Sequence, residues 1–210
     1  MRFLALLILT LLATGCDVIE QPAGLIPRYT TAYKDVISRN DRVRLSDWRQ
    51  TFESALDAAR KSGHASEIER EGRLLDPDAA VAGPSIPNGM YRCRVIKLGA
   101  KDLGNLDYVA YGPFSCRVRQ ERALQRLAKL SGPQRYVGLI FPGDPLRNVF
   151  LGTVVFADEN RALQYGQDQL RDVAGYVERI GPNQWRVLMP RPHFESRLDV
   201  MELVPEGVTR

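Results

Sequence analysis

The sequence predicts a mainly β domain: a small antiparallel up-and-down barrel, lipocalin-like, with an N-terminal helical segment packed across it. Three observations predict it. From residue 89 onward, short runs of β-branched and aromatic residues alternate with Gly, Pro and Asn turn signals, giving about eight strands in the second half of the chain. Before residue 62, apolar residues recur every three or four positions instead. Between the two regimes, Cys93 and Cys116 sit on the two arms of one predicted hairpin. Each lies eleven residues from a Gly104-Asn105 turn. An unbulged hairpin turning there places the two cysteines opposite each other, within disulfide range.

The chain divides into residues 1–15, a leader; 16–30, a tether; 31–88, a helical segment and wrapping loop; and 89–205, the barrel. The leader begins Met1-Arg2 and runs apolar from Phe3 to Ala13, broken only by Thr10. That run is too short to span a bilayer, which needs about 20 residues. A basic start, a short apolar run and small residues read as a secretory signal peptide. Ala13-Thr14-Gly15-Cys16 resembles the bacterial lipobox, in which the cysteine is lipidated and becomes the mature N-terminus; the commonest form has Leu where this chain has Ala13. Cysteine usage fits export. Of three cysteines, lipidation of Cys16 leaves Cys93 and Cys116 to pair, and an oxidising compartment such as the periplasm permits that bond. Residues 17–30, with Pro22, Gly24 and Pro27, form a flexible tether with a reach of about 20 Å. Asp17 resembles an inner-membrane retention signal of enteric bacteria, and the rule does not extend to other bacteria, so either membrane is open.

Formal net charge is +4, and loss of residues 1–15 removes Arg2 and leaves +3. An excess this mild, without a block of like charge, gives no reason to expect nucleic acid as a partner. The expected contacts are a membrane through the N-terminal lipid, and an envelope protein or a small molecule.

Leu45, Trp48, Phe52, Leu56 and Ala59, with Ala55, form one apolar stripe of a helix of about five turns, starting near Asn40 or Asp41 and stopping at Gly63. A short second helix follows from Ser66 to about Arg73, with Ser66 as its cap and Glu69 three residues later. Residues 76–88 hold Pro77, Gly83, Pro84 and Pro87 and read as a wrapping loop. After the hairpin, residues 123–130 read as strand or helix. Strands are expected over 135–141, 148–157, 173–180, 184–189 and 198–204, and residues 158–171 as a loop with a helical turn.

Several runs together carry a family resemblance: Leu75-Asp-Pro-Asp-Ala79, Tyr91-Arg-Cys-Arg-Val-Ile-Lys-Leu-Gly99, Val149-Phe-Leu-Gly152, Asp172-Val-Ala-Gly-Tyr-Val-Glu-Arg-Ile-Gly181, and Phe194-Glu-Ser-Arg-Leu-Asp-Val200. The chain resembles, over residues 41–205, an uncharacterised family of proteobacterial envelope lipoproteins defined as domain of unknown function 4893. The resemblance implies an envelope address and brings no activity and no site residues. More loosely, Gly89-Met-Tyr91 is similar to the Gly-x-Trp that opens lipocalin-like barrels, among them small periplasmic inhibitors of metalloproteases. Here Tyr replaces Trp, and only the barrel analogy carries over.

Catalytic patterns are sparse. Neither His64 nor His193 sits in a metal-ligand spacing, and no nucleophile elbow or phosphate loop occurs. No metal or cofactor is expected; Asp76-Pro-Asp78 lacks the further oxygens that calcium needs. Three readings follow. The first is a membrane-tethered, non-catalytic binding or scaffold module. Arg92, Arg94, Arg117 and Arg119 flank the cysteines on the opposite strand face and form its candidate anion or partner patch. The second is an envelope hydrolase using His193 with Glu195 or another carboxylate. The third is a periplasmic protease inhibitor using residues 17–30 as its mobile segment. The first two differ in whether His193 and a carboxylate converge in a pocket.

Overall fold

The structure, a computed structural model, describes residues 30–208. The leader, Cys16 and nearly all of the tether lie outside those residues. Eight antiparallel strands close into a barrel in sequence order: β1 (Gly89–Ala100), β2 (Tyr108–Glu121), β3 (Leu124–Lys129), β4 (Gln134–Phe141), β5 (Arg147–Phe156), β6 (Asp172–Gly181), β7 (Gln184–Pro190) and β8 (Ser196–Pro205). The meander closes because β8 pairs back onto β1, from Tyr91↔Pro205 to Ala100↔Ser196, so that no strand edge is left exposed. The ambiguous segment after the hairpin is strand β3. Residues 158–171 contain no helix.

Inward positions follow the period of two. Tyr91, Cys93 and Val95 of β1 share the interior with Cys116 and Val118 of β2, Leu127 of β3, Phe150 and Val154 of β5, and Val187 and Met189 of β7. β1, β7 and β8 are buried on both faces over much of their length, and helices explain why. Helix α1 spans Arg39–Ser46, α2 Trp48–Lys61 and α3 Ala65–Glu71. Phe52, Ala55, Leu56 and Ala59 of α2 pack on the outer residues Ile96, Leu98, Leu188 and Val200. Ile37 and Leu45 cover Phe141, Val149 and Leu151.

The expected single helix is two. It breaks at Asp47 (φ −92°, ψ 12°), so Leu45 and Phe52 reach different clusters. The start is capped by Ser38, whose Oγ accepts from the Asp41 amide at 3.1 Å, rather than by Asn40 or Asp41. Gly63 ends α2 in the left-handed region at φ +98°. The second helix starts at Ala65, after His64 and without a side-chain cap, and runs into a 3-10 turn at Gly72–Leu75.

The cysteines are bonded, Cα to Cα 5.9 Å, but not as cross-strand partners. Cys93 faces Phe114 and Cys116 faces Tyr91, so the bond runs diagonally inside the barrel. The β1–β2 turn is not a two-residue Gly104-Asn105 turn. Strand pairing stops at Leu98↔Tyr108, and the register shifts by one between Cys93 and Val95. The extra residue is taken up on β2 at Gly112-Pro113, opposite Arg94. Gly112 sits at φ +126°, and a Cβ there would lie 2.8 Å from the Arg94 Cβ, so the bulge needs glycine. Cys93→Ser with Cys116→Ser is expected to lower stability by about 3 kcal/mol in the chain-entropy model, read as a shifted urea midpoint.

One end of the barrel is shut by residues 76–88. Val81 donates its amide to the Arg179 carbonyl at 2.9 Å, and Ile86 is buried in the interior cluster. The Tyr91 hydroxyl donates to the Pro87 carbonyl at 2.6 Å, and Gln125 Nε2 donates to the Ile86 carbonyl at 2.8 Å. The other end, framed by the β1–β2, β3–β4, β5–β6 and β7–β8 loops, stays open.

Candidate functional site

Strand alternation puts polar residues at the open end, on inward positions that are apolar deeper in the barrel. Lys97 continues the Tyr91, Cys93, Val95 series; Asp199 continues the Leu203, Met201 series; the two are direct cross-strand partners. Asp199 is fully buried, and its carboxylate gathers three donors. Lys97 Nζ lies 2.9 Å from Oδ2, the Tyr136 hydroxyl donates to Oδ2 at 2.6 Å, and Ser196 Oγ donates to Oδ1. Burial pulls the Lys97 ammonium down, but Asp199 and Glu195 more than offset it, so its pKa rises. Burial, then the Asp199 charge, holds the Tyr136 phenol well above the tyrosine range.

Above this network a cavity of about 100 Å³ opens to solvent. Val95, Tyr111, Phe114, Pro133 and Tyr136 form its apolar walls. Its polar groups are Lys97, Lys129, Gln134 and Glu195. Lys129 is an inward residue of β3, paired with Cys116 and 3% exposed. Its Nζ donates to the Ser131 carbonyl at 2.8 Å and to the Gln134 carbonyl at 2.7 Å, and stands 3.7 Å from the centre of the Phe114 ring. The Ser131-Gly132-Pro133 turn closes tightly over it. A Cβ on Gly132, at φ +87°, would come within 2.7 Å of Nζ and 2.6 Å of the Phe114 ring. Burial, then Arg135 and Lys97, lowers the Lys129 pKa to about 8.

That shift has a stability consequence. Below pH 8 the amine is charged in both states and the folded protein carries the full desolvation cost. Between 8 and 10.5 the unfolded chain holds a proton that the folded chain has released, so stability rises with pH; above 10.5 the cost is gone. Relative to Lys129→Met, the wild-type protein is expected to gain on the order of 2 kcal/mol across that window, measured by urea unfolding at stepped pH.

His193 and Glu195 do not pair. Glu195 Oε1 accepts from Gln134 Nε2 at 3.1 Å, and its Oε2 lies 3.3 Å from Lys97 Nζ. His193 turns away, its Nε2 against the Arg44 guanidinium. Burial, then Arg44 and Lys101, lowers the His193 pKa, so the ring is neutral at pH 7. His193 lines a recess of about 10 Å³, the space of one water, together with the buried carboxylates Asp172 and Asp199. Asp172 Oδ2 has no partner among the described residues, and burial raises its pKa.

The four arginines face outward, as alternation requires, and differ in their partners. Arg94 Nη1 donates to Glu71 Oε1 at 2.8 Å and its Nε to Glu202 Oε2 at 2.5 Å, clamping α3 to the barrel. Arg119 lies 3.4 Å from Glu121. Arg92 and Arg117 remain exposed. Asp78 pairs with Arg49, and Asp76 Oδ1 accepts from the Asp78 amide, so the two carboxylates do not converge. The inhibitor segment, residues 17–30, falls outside the described residues except for Thr30.

Sequence reasoning missed Lys97, Lys129, Tyr136 and Asp199. Their signal was present: each is a polar side chain on the inward parity of its own strand.

The model of the family described as Domain of unknown function (DUF4893) matches residues 33–203. No curated protein matches. No solved structure matches.

Proposed function

The chain belongs to the DUF4893 family, whose function is unknown, and on that premise we propose that it is a non-catalytic binding module. It is held in the cell envelope, facing the periplasm, by a lipid on Cys16, and it takes a small molecule in the open end of its barrel. The observation that carries the reading is the cavity at the open end. The far end is closed by residues 76–88 and the interior is packed, while the open end keeps a cavity with aromatic walls and convergent polar groups.

The cavity sets the ligand class. Its size suits a small ring or a short chain, with the rest of the molecule protruding. The rim is apolar, because Leu103, Leu106, Leu130 and Leu170 are exposed on the surrounding loops. A ligand with an apolar body and one polar group that accepts from Lys97 or Gln134 fits both features. Benzoate titrated by calorimetry is the direct probe. Binding by the wild-type protein, weakened about tenfold in Phe114→Ala, supports the reading; absence of binding by benzoate, hexanoate and benzaldehyde alike removes it.

The tether is tested separately. Labelled palmitate incorporated by the wild-type chain and lost in Cys16→Ser supports the lipid anchor; absence of label from both removes it.

A further inference from the structure

We propose that Lys129 is a carbonyl-capturing amine, and that the barrel mouth forms a reversible imine with small aldehydes. The inference rests on the reading of the mouth as a ligand site and names the chemistry of that site. Its ground is geometric. Lys129 Nζ lines the cavity yet is shielded from bulk water, and two of its hydrogens are committed to the Ser131 and Gln134 carbonyls. Those two bonds fix the nitrogen in place. Once the amine loses its proton, the lone pair takes the remaining direction rather than being spent on a donor. The tight turn at Gly132 and the Phe114 ring hold the nitrogen at the cavity wall, where an apolar aldehyde would settle.

Among the described residues, no carboxylate reaches Lys129 by a hydrogen bond or an ion pair. The carboxylates nearby are bound elsewhere: Asp199 by Lys97, Tyr136 and Ser196, and Glu195 by Gln134 and Lys97. Desolvation next to a second cation is the arrangement that turns a lysine into a nucleophile at neutral pH, and here the second cations are Lys97 and Arg135. Lys97 itself keeps its proton.

The chemistry balances without an oxidant or reductant. The neutral nitrogen attacks the carbonyl carbon; a C–N bond forms as the carbon–oxygen π pair moves to oxygen. Transfer of a proton from nitrogen to that oxygen gives a carbinolamine. The hydroxyl then takes a second proton, for which the Lys97 ammonium lines the same cavity, and leaves as water, giving the protonated imine. Hydrolysis runs the same steps in reverse, so the product is capture and not turnover.

The test uses the native protein with limiting benzaldehyde and cyanoborohydride, which freezes any imine as a secondary amine that peptide mapping can place. Five lysines are present, at 34, 61, 97, 101 and 129, and Lys34 and Lys61 are exposed references. At pH 7, Lys129 is expected to label about tenfold faster than Lys34. Its rate should level off above pH 8, while those of Lys34 and Lys61 keep rising. Excess benzoate should slow labelling at Lys129 alone, and Lys129→Arg, folded by circular dichroism, should lose that adduct only. Labelling at Lys129 no faster than at Lys34, or preferential labelling at Lys97 or Lys101, overturns the proposal. If benzoate still binds in that case, the ligand site stands and only the imine falls; if benzoate also fails to bind, both fall.

Discussion

Arg186→Ala is expected to lower stability by about 4 kcal/mol, enough to unfold a marginal domain of this size. Arg186 is fully buried, an outward-facing residue of β7 trapped beneath the helical segment. Its Nε donates to Glu178 Oε2 at 2.7 Å, and Glu178 is equally buried. Its Nη1 donates to the Leu74 and Asp76 carbonyls, each at 2.8 Å, at the end of the 3-10 turn. One side chain therefore shares the Glu178 charge with Arg147 and satisfies carbonyls where the helical segment becomes the wrapping strap. Truncation leaves a buried carboxylate facing Arg147 alone, 2.6 Å away, and frees the buried Leu74 carbonyl. The control is Arg186→Met with Glu178→Gln. Removing both charges should cost less than the sum of the single changes, because much of each single cost is the partner left unpaired. Urea unfolding of the four proteins checks it. A single-variant cost under 1 kcal/mol, as at a surface ion pair, would show that the strap does not depend on this contact.

The strands were legible because short β-branched and aromatic runs end at turn residues, and where one face is exposed a two-residue period survives without knowledge of the neighbours. The hairpin partner was legible, but its register was not. Counting residues from Gly104-Asn105 assumes an unbulged ladder, and the bulge at Gly112-Pro113 is a tertiary decision: Arg94 must lean out to Glu71 and Glu202 while Cys93 and Val95 stay inside. The cysteines still met, because two inward residues on adjacent strands lie within reach along the diagonal as well as straight across. The break at Asp47 was hidden for a related reason. Leu45 and Phe52 fit one helical stripe, but each is claimed by a different barrel face, and only the barrel's curvature separates those faces.

The site was half legible. Attention to histidine and cysteine favoured residues with familiar chemistry, and His193 proved to have its Nε2 against Arg44 rather than paired with Glu195. The informative residues were ordinary ones in unexpected positions. Lys97 shares parity with Cys93, and Lys129 with Leu127, so each is a charge where the strand pattern asks for an apolar side chain. Parity alone cannot say which end of the barrel stays open. That depended on residues 76–88 folding over the opposite end, a packing outcome with no local signature beyond prolines and glycine.

Asp199→Asn is expected to cost about 3 kcal/mol and to reverse the pH response of Lys97. In the wild-type protein the folded pKa of Lys97 is raised above 10.5, so its contribution is fully present below that pH and is lost as pH climbs through the higher folded value. Burial acts against this, and Asp199 is the stronger of the two acids that overcome it. With the charge removed, burial wins, since Glu195 lies farther off, at 3.3 Å, on an exposed loop residue. The folded pKa then falls below 10.5, and stability rises with pH towards that value instead of holding level. The two proteins should thus diverge most near neutral pH and converge as Lys97 deprotonates in the unfolded variant. The amide oxygen can still accept from the Tyr136 hydroxyl while its NH2 donates to the Ser196 hydroxyl, so the loss reports mainly on the ion pair. Lys97→Met added to Asp199→Asn should recover part of the stability and abolish the altered slope, because no buried cation remains to be discharged. Urea midpoints for the three proteins between pH 6 and 10 decide it. Parallel curves would mean that Asp199 serves Tyr136 and Ser196 rather than Lys97, and that the ammonium at the mouth draws its charge stability from solvent.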